Sequence, residues 1–223
     1  MIVAKVSSNG LSRRAVCGGI CLLLAGCSTG PLSPLSSVQQ GADPYASIYG
    51  PIMDGSRAVP ALDLDVVANQ DLLRQEVAFR GQYRPGTIVV NITERRLYLV
   101  QRDGRALRYA VGVGREEALN FRGSAVIGQK AEWPRWIPTA DMIKRMPKYA
   151  AYAGGMPGGL ENPLGARALY LYVGNRDSYF RIHGTNEPAT IGSAVSSGCI
   201  RMFNQDAIDL YNRVPLGAPV VVL

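Results

Sequence analysis

From Pro85 onward the chain is cut into short β-branched or aromatic runs: TIVVN at 87–91, RLYLV at 96–100, ALRYAVGVG at 106–114 and SAVIGQK at 124–130. ITER and QRDGR stand between them and carry turn chemistry. Strands at this spacing indicate a sandwich or barrel rather than alternating β and α units, so the expected class is mainly β. ALYLYV at 168–173 and SYFRIHG at 178–184 flank GNRD, which predicts a hairpin with a four-residue loop. Strand parity sets Phe180 and Ile182 on one face and Tyr179, Arg181 and His183 on the other. His183 is thus expected opposite the apolar face. APVVVL at 218–223 reads as a final buried strand.

Helical signals are few. Asn69 to Phe79 and Thr139 to Met146 read as short helices. NQDAIDLYNRV, after the last cysteine, reads as a third with Asn204 as N-cap. Its residues Ala207, Leu210, Tyr211 and Val214 form one apolar stripe. Over residues 131–167 the strand rhythm fails. The Gly- and Pro-rich AGGMPGGLENPLGA there reads either as a substrate wall or lid, or as a cover over a sheet edge.

The N-terminus has a different character. Lys5, Arg13 and Arg14 precede an uncharged run from Ala15 to Ala25, the layout of an export signal too short to span a bilayer. Leu24-Ala25-Gly26-Cys27 resembles the lipobox of bacterial lipoproteins, which implies cleavage before Cys27 and lipid attachment to its sulfur. The expected organisation is a signal peptide at 1–26, a tether and extension at 27–84, and a domain at 85–223. Within 27–84, residues 51–84 either pack on that domain or lead to it.

Cleavage lowers the formal charge from +7 to +4, which does not point to nucleic acid. It also removes Cys17 and Cys21, and lipid occupies Cys27, so Cys199 is the one free thiol of the mature chain. Oxidising compartments usually pair or exclude such thiols, and a reactive role is one explanation. The chain has a single histidine, His183. A histidine within reach can take a thiol's proton or hold the thiolate as an ion pair. Gly198 gives an acyl substrate room, and the amides of Gly198 and Cys199 are candidate oxyanion donors. A structural zinc asks for about four Cys or His ligands, and two remain, so no metal or other cofactor is expected.

IHGTNEPATIGSAVSSGCIRM, with PGTIVVNITERRLYLV upstream, resembles the catalytic core of the L,D-transpeptidase (YkuD/ErfK-type) family. The resemblance implies that Cys199 attacks the third residue of a peptidoglycan stem tetrapeptide, with His183 as base and release of D-alanine. An amine of another stem then gives a 3–3 cross-link. An envelope protein's amine or water is the alternative acceptor, and a non-catalytic wall-binding lipoprotein is the alternative of another class. Gly184 falls where a backbone carbonyl orients the histidine. Arg201 matches a motif arginine, either a holder of a substrate carboxylate or a structural ion pair. Ser197 stands where some members carry a second histidine. The expected protein is a periplasm-facing monomer, held by lipid in the outer membrane rather than the inner.

Overall fold

The computed structural model describes residues 45–223. The expected signal peptide, Cys27 and the first part of the tether lie outside the described residues.

In chain order the elements are α1 (Ala46–Tyr49), β1 (Ile52–Asp54), β2 (Arg57–Val59), β3 (Gln75–Ala78), β4 (Ile88–Asn91), β5 (Arg96–Val100) and β6 (Arg105–Ala110). There follow β7 (Val113–Gly114), β8 (Gly123–Glu132), α2 (Ala140–Arg145), β9 (Arg167–Val173) and β10 (Arg176–His183). The chain closes with β11 (Ala194–Ser196), β12 (Ile200–Arg201), α3 (Asn204–Arg213) and β13 (Pro219–Val222). Nine strands form one mixed sheet in the order β12-β10-β9-β8-β13-β4-β5-β6-β3. Parallel pairing occurs at β12/β10 and at β13/β4, and the remaining neighbours are antiparallel.

The mainly β architecture follows from the alternating runs. Ile88, Val90, Leu97, Ile127, Leu169, Leu171, Val220 and Val222 meet in one core with Ala207, Leu210 and Val214 of α3. Burying side chains of this size stabilises by about 1.5–3 kcal/mol each. The run at 106–114 divides in two because Gly112 leaves β6 and pairs with Arg201, accepting from its N–H at 2.8 Å and donating to its carbonyl at 2.9 Å. Gly112 thereby joins the end of β6 to the edge strand β12, across the sheet order.

Three local expectations are corrected. Asn69 does cap a turn, accepting from the Asp71 N–H at 2.9 Å, but the turn is a single 3-10 segment. The chain then extends into β3 on β6, because its backbone groups find partners in that sheet edge. The β9–β10 hairpin turns on Gly174 and Asn175 alone, and the extra residues form a bulge between Asp177 and Arg181. Tyr179 sits in that bulge at φ 64°. Asn204 begins α3 as its first residue rather than its cap. Its side chain accepts from the Ala166 N–H and donates to the Thr185 carbonyl, both at 2.9 Å, and so ties two loops beside the site.

Residues 45–78 pack on the domain. Tyr49 and Leu73 are buried with Ala110, Ile191 and Phe203. The Tyr49 hydroxyl accepts from the Arg74 N–H at 2.6 Å and lies 3.1 Å from both carboxylate oxygens of Asp206. Arg74 reaches Asp209 at 2.6 Å, as does the Tyr109 hydroxyl at 2.7 Å. On β1, Asp54 receives both terminal nitrogens of the buried Arg167 at 2.6 Å. The N-terminal extension is thus bolted to α3 and β9 by buried polar contacts.

Candidate active site

His183 ends β10 and stands level with Arg201 of β12 in parallel register, with Ile182 level with Ile200. The Met202 N–H donates to the His183 carbonyl at 2.8 Å. Two strands fixed in this way bring the sequence-distant histidine and cysteine to the same cavity, of about 420 Å³. That volume suits a small organic ligand or a peptide end.

His183 is 4% exposed. Parity does set it opposite the fully buried Ile182, yet the far face is closed as well, by the cavity walls. Its Nδ1 lies 2.5 Å from the Gly184 carbonyl, so Nδ1 carries the proton and Nε2 is left as the basic atom. Burial is the first cause pushing the imidazole down to about 4; the Gly184 carbonyl opposes it, while the charges of Arg201 and Arg181 add to it. At neutral pH the ring is therefore neutral. Burial likewise pushes the Cys199 thiol up, opposed by the Arg181 backbone N–H that it accepts and by the charges of Arg181 and Arg201. Both groups, the Cys199 thiol and the His183 imidazole, are therefore neutral at neutral pH.

Ser196 shapes the nucleophile loop. Its hydroxyl accepts from the Gly198 N–H at 3.0 Å and donates to the Cys199 carbonyl at 2.7 Å, closing a tight turn. The Gly198 amide, one of the two candidate oxyanion donors, is thereby engaged by Ser196. Its glycine identity answers to φ 123° and to the Leu119 carbonyl and Phe180 ring, where a Cβ would stand.

Arg201 lines the cavity but its guanidinium meets Glu187 at 2.7 Å, the structural ion pair among the two readings. Ser197 also lines it, with Arg145 Nη2 at 3.5 Å from its hydroxyl. Sequence reasoning passed over Ser196, Arg115, Arg145, Trp136, Met142 and Tyr149, which complete the walls. The available signal was the break in strand rhythm at 133–138. Trp136 there packs edge-on against Tyr149 at 5.0 Å. The Gly- and Pro-rich segment is a wall, not an edge cover: buried Asn162 donates to the carbonyls of Pro134 and Pro157 at 3.0 Å, and Pro163 and Leu164 face the cavity.

Residues 85–222 match the model of the YkuD L,D-transpeptidase catalytic domain. The chain is 31% identical over 192 residues to the probable L,D-transpeptidase ErfK/SrfK of Escherichia coli, covering 82% of this chain and 59% of that one. It is 35% identical over 152 residues to the putative L,D-transpeptidase YkuD of Bacillus licheniformis, covering 66% and 74%. A Brucella melitensis crystal structure named as a probable carnitine operon oxidoreductase is 52% identical over 71% of this chain and 98% of its own, with a TM-score of 0.48. At that score the structural likeness adds nothing to the assignment. The chain spans about six tenths of the length of the Escherichia coli relative. On the match over residues 85–222, the chain belongs to the L,D-transpeptidase (YkuD) catalytic domain family.

Proposed function

We propose that the protein cross-links peptidoglycan stem peptides through a thioester on Cys199. The observation that carries this reading is the locked tautomer of His183: its Nδ1 proton is held by Gly184, and Nε2 remains for the one described thiol, in the same cavity. His183 Nε2 takes the thiol proton as sulfur attacks the carbonyl of the third stem residue. The carbonyl–nitrogen bond then breaks, and the proton passes to the departing amine of D-alanine. A second amine attacks the thioester, forms an amide, and returns the proton to sulfur. One amide is exchanged for another, so no external energy source is required. With Gly198 engaged elsewhere, the Cys199 N–H is the remaining oxyanion candidate.

We further read residues 1–26 as an export signal and Cys27 as a lipid attachment point, which sets the enzyme at the periplasmic face of the outer membrane. Metabolic labelling with a radioactive fatty acid tests this: label lost in Cys27→Ala supports it, and unlabelled wild-type protein contradicts it. For the reaction, residues 28–223 are incubated with a disaccharide-tetrapeptide and the muropeptides separated. A 3–3 dimer with free D-alanine is expected. Tripeptide alone would transfer the reading to hydrolysis or to a protein acceptor.

A further inference from the structure

Three arginines line the cavity, Arg115, Arg145 and Arg201, against one carboxylate, Glu187. Glu187 is taken by Arg201, which also has the Thr190 hydroxyl at 3.4 Å. Among the described residues Arg115 and Arg145 have no carboxylate partner within 4 Å, and the one polar contact of the Arg145 guanidinium is the Ser197 hydroxyl at 3.5 Å. The cavity wall therefore carries two uncompensated positive charges beside a neutral thiol and a neutral imidazole.

Both residues border the nucleophile loop. Arg115 follows β7, and its N–H donates to the Ser196 carbonyl at 3.0 Å. Arg145 comes from the end of α2 on the other wall and approaches Ser197. Ser196 and Ser197 are three and two residues before Cys199. The Arg145 guanidinium stands beside Ser197, two residues before Cys199, so a peptide attacked at the sulfur needs only a short further stretch, at about 3.5 Å per residue, to bring an anion to it. Guanidinium forks suit a carboxylate, which each can hold through two hydrogen bonds.

We infer that Arg115 and Arg145 bind the free α-carboxylate of the donor's leaving residue, so that the enzyme selects peptides ending one residue beyond the carbonyl that Cys199 attacks. This rests on the acyl-transfer reading of the site. It gives the unpaired arginines a task that Arg201, occupied by Glu187, does not perform. A donor with one more residue presents a neutral amide at that position and forfeits the contact.

The test compares a tetrapeptide with a free terminal carboxylate and the same peptide as its C-terminal amide, reading thioester formation by intact mass in wild type, Arg115→Gln, Arg145→Gln and the double variant. Wild type is expected to favour the acid at least tenfold in kcat/KM, mainly through KM, and the double variant to lose that preference. Alkylation of Cys199 by anionic iodoacetate and neutral iodoacetamide runs beside it. The iodoacetate-to-iodoacetamide rate ratio is expected to fall in the variants, and an unchanged iodoacetamide rate shows that the thiol pocket is intact. An acid preference or a reagent ratio that survives both substitutions overturns the inference. If no peptide acylates any form while the ratio still falls, the acyl-transfer reading fails and the anion site stands.

Discussion

Arginine is used in opposite ways at the N-terminal extension and at the cavity. Toward the N-terminal extension, Arg74 meets Asp209 at 2.6 Å with Asp206 at 3.8 Å, and Arg213 meets the same Asp209 at 2.7 Å. Toward the cavity, Arg115 and Arg145 have no such partner among the described residues. A buried guanidinium without a counter-charge costs several kcal/mol, so the packed side pairs its charges. On the solvent-reached cavity wall the cost is small and the charge is left for a ligand. Burial favours the neutral form of a titratable group in both regions. Asp206, fully buried, is pushed up to about 7 by burial despite Arg74, whereas the cavity's His183 is pushed down to about 4.

The sharpest way to break this comparison is at the nucleophile. Cys199→Ser is expected to abolish acylation while leaving the thermal unfolding midpoint near wild type, since no packed core residue is lost; residual acylation at another residue would show that the wrong nucleophile has been assigned. His183→Asn should lower the acylation rate by about 10²–10⁴-fold, the range of a lost general base. Single-turnover mass spectrometry measures it, and a loss under tenfold would leave His183 a packing residue.

Arg74→Met tests the other side. It strips Asp206 and Asp209 of their shared cation inside the fold, and a loss of about 3–5 kcal/mol in denaturant unfolding is expected. The folded fraction should still alkylate at Cys199. Equal stability would mean that the extension is not held by this network.

The smallest effect is a pH slope. Asp206 is protonated in both folded and unfolded chains below pH 4. Between pH 4 and about 7 only the unfolded carboxyl has released its proton, so this group's stabilisation falls as pH rises through that window. Asp206→Asn should remove that fall. His183 acts in the opposite sense: its contribution is present above pH 6.5 and is lost as pH falls toward 4. His183→Asn should therefore steepen the downward slope that Asp206 imposes. Unfolding midpoints across pH 4–8 separate the two.

Much of this arrangement was readable from periodicity. β4, β5, β8, β9 and β13 coincide with their runs to within a residue or two at each boundary, because β-branched and aromatic runs bounded by turn residues mark strands whether one face or both are buried. β3 did not show itself: QEVA is a strand through pairing with Arg105–Arg108, a contact distant in sequence. The packing of 45–78 was equally hidden, since it rests on isolated residues such as Tyr49 and Leu73 with polar bolts between them. In the site, Cys199, His183 and Gly184 stood out by rarity and motif. The engagement of the Gly198 amide by Ser196 depends on turn geometry that SSGC does not encode visibly. Arg115 and Arg145 were two among 24 basic residues, and only the fold sets them on the cavity wall.

The most direct test of the central claim is intact-protein mass spectrometry of residues 28–223 mixed with disaccharide-tetrapeptide. The account predicts a single adduct on Cys199 equal to the peptide less D-alanine, absent in Cys199→Ser. An unmodified protein with its thiol still alkylatable would contradict it.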